Sequence, residues 1–169
     1  MQALAYWKAV TQDRTDFLDD FLSLLTDNGI RYCVIGGQGV NAYAEPLVSL
    51  DLDVAVATED LDRVETLLSS RFRIERFPHS LNVSAAGSQL RVQIQTDPRY
   101  AAFVPRATPR EVLGVTLQVA AVEDVLQGKL WVLDGGTKRQ KDLADIGRLI
   151  EAYPHLRPRV PREMLDRLV

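Results

Sequence analysis

Apolar residues between positions 13 and 28 recur with the spacing of an amphipathic helix. Six leucine and phenylalanine residues form the apolar stripe, and Asn28-Gly29 provides a typical helix end. Residues 31–35 form a short β-rich run. Gly36-Gly37 follows this run and opens a short segment that we expect to be helical and to end before Pro46. The pattern predicts a helix, a strand, a glycine turn and a short helix in succession.

Residues 50–56 alternate between two kinds of side chain, as in a strand with two different faces. One face is entirely apolar, whereas Asp51 and Asp53 share the other face with Ala55. Cα atoms two residues apart on a strand are separated by roughly 6.5–7 Å, so both carboxylates can reach one ion or two neighbouring ions. The pattern therefore predicts a strand with an acidic face.

The remaining periodicity predicts alternating helices and strands. Thr58 is expected to cap a helix, Gly135-Gly136 to break one, and Thr137 to start the next. The expected strands are 72–77, 80–85, 89–95 and 115–119, and the expected helices are 58–68, 122–133, 137–153 and a short one near the C-terminus. This order predicts an α+β fold in which a mixed β-sheet is flanked by helices, with a C-terminal helical extension. We expect a single domain over residues 1–169.

Composition and net charge limit the classes of protein to which this chain can belong. A chain with 46% hydrophobic and 25% charged residues is typical of a soluble globular protein. The first residues lack the features of a signal peptide and no apolar run could span a bilayer, so we expect a cytoplasmic protein without a membrane partner. A net charge of -3 argues against nucleic-acid binding through charge alone. Cys33, the single cysteine, is interpreted as a small buried thiol.

The acidic strand face requires a physical explanation, because two adjacent carboxylates repel each other unless one is protonated. A divalent cation relieves that repulsion, and hard oxygen ligands favour Mg²⁺ or Mn²⁺ shared with substrate phosphates. Gly36-Gly37 complements this site, since glycine backbone at the start of a helix can approach a phosphate closely. These residues together predict a site for a nucleoside triphosphate and a metal ion. The alternative is two aspartates on a solvated strand face beside glycines that only turn the chain.

Gly36-Gly37, a spacer of thirteen residues, and Asp51-Leu52-Asp53 followed by Val-Ala-Val resemble the signature of the nucleotidyltransferase superfamily of the DNA polymerase beta type. The sequence is more closely similar to the minimal AbiEii-like nucleotidyltransferases of toxin-antitoxin systems, over residues 17–153. The resemblance implies the nucleotidyltransferase fold and transfer of a nucleoside monophosphate to a hydroxyl of an RNA end or a protein partner. It implies a catalytic set of Asp51, Asp53 and Asp142. It assigns the nucleotide to Gly36, Gly37, Gln38, Ser49, Lys129, Lys138 and Lys141.

One position departs from the family pattern. The resemblance implies a third metal-binding carboxylate on a later strand, where this chain has Gln93. A glutamine carbonyl can ligate a cation, but it is neutral and cannot act as a base. We therefore assign the metal to Asp51, Asp53 and Gln93, with Asp97 and Glu75 as possible substitutes for the missing acid. The alternative function is a catalytically degenerate module that binds a nucleotide or a partner.

Two further alternatives stay open. On the helix 137–153, Lys138-Asp142 and Lys141-Asp145 could be ordinary pairs on a solvated face, and Lys129 an exposed lysine. Residues 37–42 also match the dinucleotide fingerprint GxGxxA of oxidoreductases. We rank an oxidoreductase lower, because its ribose-binding acid ends a strand, whereas Asp51 and Asp53 begin one.

Overall fold

The computed structural model describes residues 2–10, 16–134 and 140–168, without the side chains of residues 2–5. Its seven strands are β1 Tyr32–Ile35, β2 Asp51–Val56, β3 Arg73–Phe77, β4 Ser80–Ser84, β5 Arg91–Gln95, β6 Thr108–Val112 and β7 Val115–Val119. Its α-helices are α1 Gln2–Val10, α2 Phe17–Asp27, α3 Gly36–Asn41, α4 Leu61–Ser69, α5 Val122–Asp134, α6 Gln140–Ala152 and α7 Arg162–Arg167. Three 3-10 segments, Thr58–Asp60, Pro98–Arg106 and Pro154–Arg159, complete the described elements.

The strands form one mixed sheet in the order β3-β4-β5-β2-β1-β7-β6. Strand β2 lies in the middle, where it pairs in parallel with β5 and antiparallel with β1. The pairs β1 with β7 and β2 with β5 are parallel, whereas the other neighbours are antiparallel. The predicted α+β class and mixed sheet are confirmed.

The pairing of β1 with β2 also bears on the dinucleotide alternative. A dinucleotide-binding βαβ unit needs two parallel strands joined by the helix. Here the short helix α3 joins two antiparallel strands. The GxGxxA match at residues 37–42 therefore lies in a different kind of unit, and the oxidoreductase alternative loses its structural basis.

Strand β2 separates two hydrophobic clusters. Leu52, Val54 and Val56 pack in one cluster with buried residues of α2 and α4. Ala55 packs in a second cluster with buried residues of α5 and α6. The alternation of side chains in residues 50–56 therefore has the predicted effect, because Asp51 and Asp53 lie on the face that bears Ala55.

Some element boundaries differ from the predictions. The predicted cap Thr58 lies inside a 3-10 segment, and α4 begins at Leu61 without a side-chain capping bond. The 3-10 segment Pro98–Arg106 and strand β6 were not predicted. Pro109 lies in β6, which is the edge strand of the sheet, and an edge is where a strand tolerates proline.

Other predictions are confirmed or concern residues that the structure does not describe. The helix end at Asn28-Gly29 is confirmed, since α2 ends at Asp27 and Gly29 has a φ of 66°. Cys33 is fully buried, as predicted, and burial raises its pKa to about 12. The predicted break at Gly135-Gly136, the helix start at Thr137 and the nucleotide ligand Lys138 lie outside the described residues. Among the described helices, none combines the length and apolar character needed to cross a bilayer.

Candidate nucleotide and metal site

The sheet register places the predicted site residues on neighbouring strands. Asp53 on β2 is paired with Ile35 on β1, immediately before Gly36. On its other side Asp53 is paired with Gln93 of β5, and Asp51 is paired with Arg91 of the same strand. Because register partners on one face lie side by side, the glycine turn, the aspartate pair and Gln93 meet at one part of the sheet.

Asp53 lies against the glycine turn. Gly36 has a φ of 66°, and a Cβ atom added there would overlap the Oδ2 atom of Asp53. The Oδ1 atom of Asp53 is enclosed and has no hydrogen-bond partner among the described residues. Burial raises the pKa of Asp53 from its ordinary value of 3.8 to about 6, although the charge of Lys129 opposes this shift and that of Asp51 adds to it. Asp53 thus places beside the glycine turn an oxygen atom that accepts no hydrogen bond from the described residues.

Asp51 has a different environment on the same strand face. Its Oδ1 atom forms an ion pair with Nε of Arg91 at 2.8 Å, and its side chain is 44% exposed. Asp51 and Arg91 line a cleft of about 270 Å³ together with Asn82 and Gln93. Asp53 instead lines a neighbouring cavity of about 230 Å³, and Gln93 borders both. The two aspartates therefore line separate spaces, and Gln93 contributes to the wall of both.

The possible substitutes for a third acid are directed elsewhere. Asp97 accepts a hydrogen bond from the backbone of Arg99 and pairs with its guanidinium at 2.9 Å, which lowers the pKa of Asp97. Glu75 is exposed on β3, which β4 and β5 separate from β2. In the part of the chain that the structure describes, no group of three or more histidine, cysteine, aspartate or glutamate side chains could hold a metal ion.

The donor set is nevertheless suitable for one cation. Asp51, Asp53 and the amide oxygen of Gln93 are hard oxygen donors on adjacent strands, and one oxygen of Asp53 is unpaired. Two carboxylates and a neutral amide fit one Mg²⁺ or Mn²⁺ ion. Asp142 lines the same cavity as Asp53, but its Oδ1 atom is paired with Lys129.

Lys129 forms a buried charge network with helix α6. Its Nζ atom lies 2.8 Å from Asp142 and 2.7 Å from Asp145, and Arg148 pairs with Asp145 at 2.8 Å. Lys129 is only 7% exposed, Asp142 7% and Asp145 1%. Burial alone would lower the pKa of Lys129, but the two aspartates outweigh it and the pKa is raised. The solvated-face alternative is therefore wrong for these residues, because Asp142 and Asp145 turn inward towards Lys129.

Lys141 is exposed at the start of α6. Its charge is close enough to act on the pKa of Asp53. Lys141 is therefore an exposed charge near Asp53, in contrast to the enclosed Lys129.

Gln38 and Ser49 form hydrogen bonds within the loop that leads into β2. The amide of Gln38 is buried, donates to the carbonyl of Ser49 and accepts from Asn41. The hydroxyl of Ser49 accepts a hydrogen bond from the backbone N–H of Asp51 at 3.1 Å. Both side chains make structural hydrogen bonds that position Asp51. Gly37 lies in the first turn of α3, where an added Cβ would come no closer than 3.9 Å to Asp145.

The cavity beside Asp53 also contains residues that the sequence did not single out. Its walls include Gln95, Tyr100 and Gly128 in addition to Gly36, Gln93, Lys129 and Asp142. Tyr100 is buried and packs edge-on against Phe103 and Trp131. Gln95 could have been found from the alternation of β5, and Tyr100 from its helical spacing with Phe103 and Val104 in the unpredicted 3-10 segment.

Comparisons with known proteins identify the fold. No protein-family model matches this chain, and no curated protein matches it either. Among solved structures, ANT(2'')-Ia in complex with adenylyl-2''-tobramycin matches with a TM-score of 0.63 at 12% identity, over 90% of this chain and 97% of that one. The lincosamide antibiotic adenylyltransferase LnuA, with bound lincomycin, matches with a TM-score of 0.57 at 15% identity, over 82% of this chain and 97% of that one.

A larger enzyme shares the same architecture. The polyadenylate synthase of Megavirus matches with a TM-score of 0.50 at 16% identity, over 89% of this chain and 32% of that one. At these sequence identities the three comparisons show the fold alone, and all three give the same architecture. The chain has the nucleotidyltransferase fold.

Proposed function

We propose that this chain is a metal-dependent nucleotidyltransferase that transfers a nucleoside monophosphate from a nucleoside triphosphate to a hydroxyl group. The observation that carries the proposal is the enclosed Oδ1 atom of Asp53, which accepts no hydrogen bond from the described residues and lies beside the Gly36 turn in a nucleotidyltransferase fold. An enclosed acceptor without a partner is costly unless a ligand uses it. A cation bridged to phosphate oxygens would be such a ligand.

Each residue has a proposed role in that reaction. Asp51, Asp53 and Gln93 would hold Mg²⁺ or Mn²⁺, which supplies Lewis-acid stabilisation of phosphate charge when bound. The backbone at Gly36-Gly37 would position the triphosphate, and exposed Lys141 would neutralise part of its charge. Lys129 would not contact the phosphates directly, because its ammonium group is already paired with Asp142 and Asp145.

Asp142 is the proposed proton acceptor. It lines the cavity beside Asp53, and its Oδ2 atom is buried without a hydrogen-bond partner among the described residues. The acceptor hydroxyl would lose its proton to Asp142 as its oxygen forms a bond to the α-phosphorus. The bond between that phosphorus and the bridging oxygen to the β-phosphorus would break, and pyrophosphate would leave.

The AbiEii-like resemblance supports an RNA end or a protein as the molecule that bears the acceptor hydroxyl. Two proteins of similar fold, by contrast, bind adenylyl-2''-tobramycin and lincomycin in their solved structures. Tobramycin and lincomycin therefore join RNA and protein in the set of acceptors to be tested. We also propose that residues 1–169 act as one domain in this reaction.

Gln93 supports a second candidate function. It is paired with Asp53, at the position where a third acid would complete a two-metal site. A site with two carboxylates can retain a nucleotide and one cation without supporting fast transfer. The second candidate is therefore a module that binds a nucleotide or a partner and does not transfer.

Binding and transfer are tested separately. Binding of each labelled nucleoside triphosphate is measured with and without Mg²⁺, for the natural sequence and for Asp51→Ala plus Asp53→Ala. We expect Mg²⁺-dependent binding only in the natural sequence, and equal binding by both proteins would remove the site assignment. Pyrophosphate release with RNA, protein, tobramycin or lincomycin as acceptor then separates the candidates, since the non-catalytic module binds nucleotide but releases none.

A further inference from the structure

Arg91 contacts the candidate metal site through one of its proposed ligands. It lies on β5 as the register partner of Asp51, two residues before Gln93, and its Nε atom is 2.8 Å from Oδ1 of Asp51. The four facing side chains are thus two aspartates, one glutamine and one arginine. Where a site for two cations would require additional negative charge, this chain has a neutral amide and a fixed positive charge.

We propose that Arg91 is an internal counter-ion that competes with the divalent cation for Asp51 and so sets the cation affinity of the site. This inference rests on the proposed function. The guanidinium occupies Oδ1 of Asp51, so that this oxygen becomes a metal ligand only after Arg91 moves away. Arg91 also neutralises one of the two negative charges that attract the cation.

The ion pair is suited to exchange. The side chains of Arg91 and Asp51 are 69% and 44% exposed, and exposed ion pairs are weak because water and salt screen them. A divalent cation bridged to a triphosphate has the higher charge and can displace the guanidinium. The pair therefore weakens cation binding without preventing it.

The same cleft contains another acceptor for Arg91. Asn82 on β4 is the register partner of Gln93, which places it diagonally across from Arg91 on the neighbouring strand. Its Oδ1 atom is enclosed and has no hydrogen-bond partner in the described part of the chain. Long side chains can reach diagonal neighbours on a sheet face. When the cation binds Asp51, the guanidinium of Arg91 would therefore donate a hydrogen bond to Oδ1 of Asn82.

The test is a double-mutant cycle read by direct Mn²⁺ binding, with free Mn²⁺ measured by electron paramagnetic resonance. The proteins are the natural sequence, Arg91→Gln, Asp51→Asn and the double variant. We expect Arg91→Gln to tighten Mn²⁺ binding about threefold to fivefold, as expected for loss of an exposed competing ion pair. In the Asp51→Asn background the same change should have little effect, because the competition acts through Asp51.

Two control variants separate competition from a general change of charge. Arg73→Gln removes a positive charge from exposed β3 of the same sheet and should leave Mn²⁺ affinity nearly unchanged. Arg91→Lys keeps the charge but replaces the Nε donor. It should tighten binding less than Arg91→Gln, because an ammonium still attracts the carboxylate.

The outcomes distinguish failure of this inference from failure of the proposed function. No change in Arg91→Gln, or equal tightening in both Asp51 backgrounds, would overturn the role of Arg91 and leave the metal site standing. Unchanged Mn²⁺ binding after replacement of both Asp51 and Asp53 by asparagine would instead remove the metal site. The exposed positions of Asp51 and Arg91 make loss of folding a minor risk, which circular dichroism checks directly.

Discussion

Gly36 and Asp53 are in such close contact that no side chain fits between them. A Cβ atom added to Gly36 would overlap the Oδ2 atom of Asp53. The Cβ and Cγ atoms of Asp53 would each be only 3.0 Å from that added atom. The contact depends on the register that places Asp53 beside Ile35, and on a φ of 66° at Gly36. The diglycine and the aspartate pair are thus two parts of one local structure, although thirteen residues separate them in sequence.

Gly36→Ala should destabilise the fold and displace Asp53. The left-handed backbone alone costs an alanine roughly 1–2 kcal/mol, and the overlap with Asp53 adds to that cost. We expect a loss of at least about 2 kcal/mol in the free energy of unfolding, measured by urea denaturation. Gly37→Ala is the matched control, since its Cβ would meet only Asp145 at 3.9 Å and should change stability by less than about 1 kcal/mol. Equal effects of the two changes would contradict the contact.

The raised pKa of Asp53 makes stability depend on pH. In the folded protein its pKa is about 6, against an ordinary value of 3.8, so the folded state binds more protons than the unfolded chain between these values. The contribution of Asp53 to stability is therefore complete below pH 3.8 and is lost as the pH rises through 6. A pKa of about 6 in place of 3.8 corresponds to a loss of about 3 kcal/mol.

Asp53→Asn isolates this effect, because asparagine does not titrate. Relative to the natural sequence, the variant should gain about 2–3 kcal/mol in the free energy of unfolding between pH 4 and pH 7.5. Urea denaturation at these two pH values measures the gain. Asp51→Asn serves as a comparison on the same strand. A constant difference between Asp53→Asn and the natural sequence across this pH range would show that Asp53 is not desolvated.

The local elements of this fold could be predicted because their signals are local. The alternation in residues 50–56 placed Asp51 and Asp53 on one face, and the stop at Asn28-Gly29 was visible in the sequence. Sheet order was not visible, since β2 pairs with β5 across two intervening strands and a helix. The Asp53–Gln93 pairing could therefore be anticipated only through the family resemblance.

The alternative of a solvated face for Lys129 and helix α6 fails for a different physical reason. Spacing along one helix suggested that Lys141 and Asp145 would pair with each other on a solvated face. The structure instead buries Asp145 against Lys129, which belongs to α5. A pair between two helices leaves no periodic trace in either of them. Tyr100 was missed for another reason, because the prolines at both ends of its short segment disfavour a helix although Tyr100, Phe103 and Val104 have helical spacing.

Lys129→Met should strongly destabilise the protein. The change keeps most of the side-chain volume but leaves Asp142 and Asp145 buried without their shared cation. Removing one partner of a buried ion pair typically costs about 3–5 kcal/mol. Lys141→Met, at the exposed start of α6, should change stability by no more than about 0.5 kcal/mol. Urea denaturation compares the two, and similar small effects would mean that the aspartates find other partners.

Gln93→Asp should supply the acid that the family resemblance implies at this position. The new carboxylate would lie beside Asp53 on the adjacent strand and add a negative charge to the candidate metal site. We expect Mn²⁺ affinity to rise about tenfold, a change of about 1.4 kcal/mol, and nucleotidyl transfer to appear or increase. Gln95→Asp is the matched control, because Gln95 lines the same cavity two residues further along β5 and is paired with Ala55 rather than Asp53. If Gln93→Asp raised Mn²⁺ affinity no more than Gln95→Asp does, Gln93 would not face the cation.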